Sequence, residues 1–199
     1  MDTGPDPGAE PPAGLDPDER AHVLDVATAL FARNGPGPMT MKWVALDAGI
    51  PVGRLSAEWP TMEVLLGQSL DRVAEQFRAL QDQDLEPAEV ARRDELIDTF
   101  QRMIARSLLD GVNPGNLVSS FAHLEKLAAE LQERFALDER TTRVRLAQGY
   151  ALEWGWHLFG PYLKVACGLS DLPDEVLLAD LRRTEVRIAR TSEGVDPGR

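Results

Sequence analysis

Arg54 and Lys42 are the side chains here best suited to contact a nucleic acid. A guanidinium presents a planar fork that can bond guanine O6 and N7 together, and an ammonium group neutralises a phosphate. Both lie in TMKWVALDAGIPVGRLSAEWPTMEVLL, from Thr40 to Leu66, where Val52 and Ala57 add apolar surface of the kind that meets thymine methyl groups. On a short helix lying in the major groove, these groups would read a base sequence. The same spacing also fits an ordinary helical hairpin, with Arg54 paired to Glu58 at i+4 and Glu58 facing solvent.

The elements that must hold these groups follow from local chemistry. Thr40 is a good N-cap, Val44 and Ala48 share an inward face, and Ala45 is small enough for a second helix to cross closely. Gly49 suits the residue after a helix, where positive φ is cheap only without a Cβ. Ile50 re-enters the core, Pro51 helps open a second helix, and Leu55 is its inward residue. Pro60 closes that helix, and Thr61 caps the next one with Glu63 in its first turn. Upstream, Asp16-Pro17-Asp18-Glu19 reads as an N-cap, a proline at the first helical position and acids in the first turn. Val23, Leu24, Ala27, Leu30 and Phe31 recur at helical spacing until Asn34-Gly35. These signals predict a three-helix head over residues 16–60, of the helix-turn-helix kind.

At these residues the chain resembles the tetracycline-repressor (TetR) family of bacterial transcription regulators. LDVATALFARNG, MTMKWVALDAGI and GRLSAEWPTMEVLL look like the N-terminal signature of that family, in order, over about residues 22–75. GWHLFGPYLKVACGL followed by DLPDEVLLADLRR is similar to the last two helices of many members. The resemblance implies an all-α homodimer that binds a double-stranded DNA operator, usually as a repressor, with a C-terminal domain that often takes a small effector. It also implies contacts to DNA from Thr40, Lys42, Gly53 (for close backbone approach), Arg54 and Thr61. The chain departs from the pattern elsewhere: Val52 and Met62 stand where many members have lysine, and Ser56 stands in place of a phosphate-contacting tyrosine. The aromatic-rich stretch that follows reads Ala57-Glu58-Trp59.

The rest of the 199 residues agrees with a helical protein. Helical spacing predicts elements over 61–81, 88–110, 115–134 (with a possible break near His123), 138–166 and 173–190. Stop signals fall at Gly35-Pro36-Gly37-Pro38, Glu86-Pro87, Gly111 to Gly115 and Gly168 to Pro173. Residues 1–15 form an acidic Pro/Gly leader and 192–199 a polar tail, both expected to be disordered, and 61–191 a ligand-binding and dimerisation domain. The single cysteine, Cys167, fits a reducing cytoplasm and a small buried hydrophobe. No signal peptide is visible, and Leu146 to Leu169 carries too many polar residues for a membrane span.

That same segment is apolar all round, which predicts burial on both sides. Ala147, Ala151, Trp154 and Leu158 form one stripe; Leu152, Trp156, Phe159 and Leu163 form another. With Leu177, Leu181 and Ile188 alongside, the second stripe would make a four-helix interface between two subunits; a monomer with an enclosed central helix is the alternative. Phe100, Met103, Ile104, Phe121, Leu124, Trp154 and His157 are candidates for a pocket holding a small apolar effector, or else plain core. Gly155, Gly160 and Pro161 should bend or end the central helix, relaying ligand binding to the spacing of the two heads, about 34–36 Å for adjacent major grooves.

Charge complicates the picture. The net charge is −12, which disfavours general nucleic-acid affinity. Residues 20–60 set Arg20, Arg33, Lys42 and Arg54 against Asp25, Asp47 and Glu58, so few phosphates can be neutralised. Asp2, Asp6, Glu10, Asp16, Asp18 and Glu19 would repel phosphate or fold back over Arg20 and Lys42. Deleting residues 1–14 should then strengthen DNA binding at low salt. A head retained as a fold, with weakened or lost DNA affinity, in a dimer that binds small molecules or proteins, is the competing reading.

Enzyme chemistry has little basis. His22, His123 and His157 are scattered without an HExxH pattern, and Asp82, Asp84 and Glu86 precede Pro87 where a calcium loop needs glycine. No phosphate-cradling glycine loop is present, and neither a cofactor nor a metal is expected.

Overall fold

The computed structural model describes residues 14–80 and 84–190, and it is all-α, with no strand among the described residues. Its helices are α1 (Pro17–Asn34), α2 (Met41–Ala48), α3 (Val52–Glu58), α4 (Met62–Arg78), α5 (Pro87–Leu109), α6 (Ala122–Phe135), α7 (Glu139–Ala166) and α8 (Asp174–Arg190), with a 3-10 turn at Pro114–Asn116. The acidic leader up to residue 13, residues 81–83 and the tail 191–199 lie outside the described residues. The chain forms two compact units that divide after Ser120.

The first unit is built on α1, α4 and α5, which pack on one another and carry α2 and α3. Its helix starts are the ones local chemistry demands. Asp16 accepts a bond from the Glu19 N–H at 2.8 Å while the Glu19 carboxylate accepts from the Asp16 N–H at 3.1 Å, a complete capping box. Thr40 and Thr61 cap α2 and α4 by accepting from the Trp43 and Val64 amides. Val23, Ala27 and Phe31 of α1, Val44 of α2, Leu55 of α3, and Leu65, Leu66 and Leu70 of α4 are all fully buried, as is Trp59 just after α3. These side chains form a single core that extends to Met103 of α5.

Polar ties fix the register of these helices. Arg72 of α4 grips Asp25 of α1 through two bonds of 2.8 and 3.1 Å. Arg106 of α5 donates to the Ala32 carbonyl at 2.9 Å, and Asp110 accepts from the Gly37 N–H at 2.7 Å, so the end of α5 is fastened to the α1–α2 loop. Gly67 of α4 lies under the turn after α5; a Cβ there would sit 2.6 Å from the Leu117 carbonyl oxygen.

The expected helix over 115–134 is not continuous. Pro114–Asn116 makes only a 3-10 turn, and α6 begins at Ala122. The cause is a competing hydrogen bond: the Ser119 N–H is claimed by the Asp71 carboxylate at 3.0 Å, which holds the backbone out of the helix.

The second unit comprises α6, α7 and α8, with α7 packed on both others. Asp138 caps α7 by accepting from the Thr141 N–H at 2.9 Å, and Lys164 pairs with Asp174 at 2.6 Å across the turn into α8. Pro161 does not end α7, which continues to Ala166. One proline removes a single i→i−4 bond, and the turns after it still close, with the Cys167 N–H bonded to the Leu163 carbonyl at 2.9 Å. Cys167 itself is exposed, contrary to its expected burial, because it caps the end of α7 just before the left-handed Gly168. Among the described residues of this unit only Thr141, Thr142 and Gly160 of α7 are buried. Ala147 and Ala151 of the first stripe are exposed, as is Phe159 of the stripe expected to meet a second subunit, so the alternative of a central helix enclosed within the chain does not hold among the described residues.

Candidate nucleic-acid interface

α2 and α3 are set at a sharp turn by Gly49, whose φ of 66° lies in the left-handed region, and by the Ile50 N–H, which returns to the Ala45 carbonyl at 3.0 Å. Leu55 and Trp59 anchor α3 in the core, and the Trp59 indole N–H donates to Gln68 Oε1 of α4 at 3.0 Å. With that face fixed, Val52, Gly53, Ser56 and Ala57 are left exposed on the other. They recur at i, i+1, i+4 and i+5, the pattern of one helix face, and Thr40, Lys42 and Thr61 are exposed at the neighbouring helix starts. Every residue proposed from sequence to contact DNA therefore lies at the surface except Arg54, which is half-buried. This is the geometry of a helix-turn-helix presenting its second helix outward.

The comparisons with known proteins bear on that geometry. No family model matches the chain. Over 168 residues it is 30% identical to the HTH-type transcriptional repressor Rv3405c of Mycobacterium tuberculosis (strain H37Rv), spanning 84% of this chain and 87% of the relative. The same figures hold for the HTH-type transcriptional regulators Mb3439c of Mycobacterium bovis and MT3513 of Mycobacterium tuberculosis (strain CDC 1551). The chain belongs to the HTH-type transcriptional regulators. Its fold is similar to that of the multidrug binding protein EbrR, crystallised in complex with imidazole, with a TM-score of 0.52 at 20% identity over 91% of this chain and 100% of that one. At that identity the likeness is one of fold.

In this regulator two cations of the head, Arg54 and Arg20, are engaged by acids. Arg54 does not pair with Glu58 along its own helix. Its Nη1 and Nη2 donate to the two oxygens of Glu19 on α1, at 2.8 and 2.5 Å, and Nη2 also donates to the Gly14 carbonyl at 3.1 Å. Glu58 instead faces Arg20 of α1 at 3.3 Å. Arg20 further donates to Gln68 Oε1 at 2.6 Å and stacks 5.8 Å over the Trp59 ring. The tertiary structure decides this exchange: it brings Glu19 and Arg20 of α1 within reach of α3, with Glu19 already held by the capping box, whereas an i,i+4 pair must order two flexible side chains for little gain. The Arg54 bond, followed by the bond from the Asp16 backbone, holds the Glu19 carboxyl below the usual carboxylate range; Glu19 in turn raises Arg54. Among the described residues, the expected fold-back of acids over cations falls on Arg54, through Glu19, and not on Lys42. Asp2, Asp6 and Glu10 lie outside the described residues.

Sequence reasoning passed over two surface groups and one pairing. Trp43 and Leu46 of α2 are exposed, Leu46 to 79%, and present apolar surface beside the reading helix. Their spacing one turn apart, on the face opposite Val44 and Ala48, was the available signal. The pairing of Glu19 with Arg54 left no such signal, because the two are 35 positions apart in the chain.

The candidate effector residues fall in both units. Met103 is fully buried in the first core, with Phe100 and Ile104 packed against it; the Phe100 ring meets Phe77 edge-on at 5.7 Å. Phe121, Leu124, Trp154 and His157 belong to the second unit. That unit contains a cavity of about 250 Å³ between α6, α7 and α8, and none of these residues lines it. Leu127, Leu131, Leu146 and Val186 supply its apolar wall, with Tyr150, Glu153 and Glu185 among its polar groups. Burial raises the Tyr150 hydroxyl and the Glu185 carboxyl, in each case with help from Glu153. Among the described residues no group of three or more His, Cys, Asp or Glu side chains is arranged to hold a metal, and no helix is long and apolar enough to cross a membrane.

Of the expected interface residues, Phe159 is 59% exposed, while Leu152, Trp156, Leu163, Leu177, Leu181 and Ile188 are half-buried. Tyr162 and Val165 of α7, both more than 70% exposed, extend the same apolar strip and were missing from the sequence reading.

Proposed function

We propose that this regulator is a TetR-type, ligand-responsive repressor that reads a palindromic operator as a homodimer in the cytoplasm. The observation that carries the reading is the two-faced α3: Leu55 and Trp59 are locked in the core while Val52, Gly53, Ser56 and Ala57 stand free for a groove. Thr40, Lys42 and Thr61 flank that face for phosphate contact, and Arg54 is its base-reading group. The repressor name of the Mycobacterium tuberculosis relative supports the sign of regulation. Phe159, Tyr162 and Val165 support the dimer, since an apolar strip on a long helix is what a second copy would cover. The cavity between α6, α7 and α8 supports uptake of a small, largely apolar effector.

Selection of duplexes from random DNA by the purified protein tests the central claim. An enriched inverted repeat with half-sites about one turn apart is expected, with affinity falling steeply between low and moderate salt. The engagement of Arg20 and Arg54 by acids favours a second reading, a dimer that has kept the head as a scaffold and lost its hold on DNA. Failure to enrich any sequence, with effector extracts present or absent, would select that reading. Light scattering should report a dimer at micromolar concentration, and Phe159→Glu combined with Tyr162→Glu should convert it to a monomer.

A further inference from the structure

We propose that Glu19 is a positioning residue for DNA reading: it holds the Arg54 fork closed, so that a base edge must displace a carboxylate before Arg54 can read it. This inference rests on the assignment of α3 as the reading helix.

The geometry is specific. Arg54 uses Nη1 and Nη2 together on the two Glu19 oxygens, the same end-on pair of donors that would engage guanine O6 and N7. The two uses exclude each other. The Gly14 carbonyl takes a further Nη2 bond at 3.1 Å, so the clamp has a second jaw at the point where the acidic leader joins the head. Glu19 cannot drift away, because the same carboxylate closes the capping box on the Asp16 N–H. The side chains of Arg54 and Glu19 are 25% and 29% exposed. Arg20, the neighbouring cation, is held differently: stacked on Trp59 and bonded to Gln68, it ties α1 to α4. The partner of Arg54 is an acid that DNA itself would repel.

The clamp predicts a gain on removing the acid. Glu19→Gln keeps an acceptor at the third helical position, so the helix start survives, yet it gives up the charge that holds the fork. Full-length wild type, Glu19→Gln, Glu19→Asp, Asp18→Asn, Arg54→Gln and the double variant Glu19→Gln/Arg54→Gln would each be put through selection from a random duplex pool. Affinities would then be measured by fluorescence anisotropy on the recovered duplexes. Glu19→Gln is expected to bind roughly five-fold more tightly than wild type. Glu19→Asp, which keeps the charge but shortens its reach, should gain in the same direction. Asp18→Asn, which removes an equal charge from an exposed neighbour, should gain less than half as much. In the Arg54→Gln background the gain should vanish. Equal affinities for wild type and Glu19→Gln would overturn the clamp while leaving α3 as the reading helix. So would a gain from Asp18→Asn as large as that from Glu19→Gln, or a gain that persists without Arg54. If no variant recovers a duplex, both the clamp and the DNA-reading assignment fail together.

Discussion

The two units of this regulator solve the burial problem in opposite ways. The first encloses its apolar side chains in one core running from Val23 to Met103, with Trp59 at full burial. The second, among its described residues, buries no hydrophobic side chain, and leaves Phe159, Tyr162 and Val165 open. The first unit is therefore held by its own core, while the C-terminal helices carry open apolar surface.

The largest expected effect tests the closed side of that contrast. Trp59→Ala should cost about 3–5 kcal/mol and lower the thermal midpoint sharply, since it empties a fully buried site and leaves Gln68 without its indole donor. Phe159→Ala should leave stability per subunit within about 0.5 kcal/mol, yet raise the dimer dissociation constant measured by sedimentation. Equal losses from both would erase the distinction between the units.

Glycine substitutions sharpen it next. Gly67→Ala should destabilise by roughly 1–3 kcal/mol in a denaturant titration, because its Cβ would meet the Leu117 backbone oxygen. Gly149→Ala in α7 meets nothing within 4 Å and should stabilise by about 0.5–1 kcal/mol. Of similar size, Thr40→Ala should cost about 1 kcal/mol by removing the acceptor for the Trp43 amide.

The smallest effect is one of pH. The Thr141 bonds hold Asp138 below the usual carboxylate range, and Arg54 does the same for Glu19. Each contributes stability that is fully present above the ordinary carboxylate pKa near ~4 and is lost as pH falls through the depressed value. Thermal midpoints should stay flat from neutrality to about pH 5 and then decline; Asp138→Asn should make that decline shallower.

Much of the head was legible in the sequence because its signals are local. Asp16, Thr40 and Thr61 cap the helices that follow them, and Gly49 takes the left-handed turn that its missing Cβ permits. The outward face of Val52, Gly53, Ser56 and Ala57 followed once Leu55 was read as inward. What failed was what depends on distant partners. Asp71 reaches the Ser119 amide and interrupts an otherwise plausible helix, and Cys167 ends exposed where composition suggested burial. The apolar composition of α7 was read as one stripe for its own unit and one for a second subunit, yet Ala147 and Ala151 of the first stripe are exposed, because composition says only that apolar surface exists, not what covers it.

Sequence alone determined the all-α class and the helix-turn-helix head, because capping, turn formation and helical periodicity act over a few residues. Arg54 and Lys42 were visible as the head's candidate contacts for the same reason. Only the tertiary structure decided that they differ: Lys42 stands exposed, while Arg54 is gripped by Glu19 from another helix. An ion pair is a matter of distance in space, and the fold alone brings α1 and α3 within reach of each other.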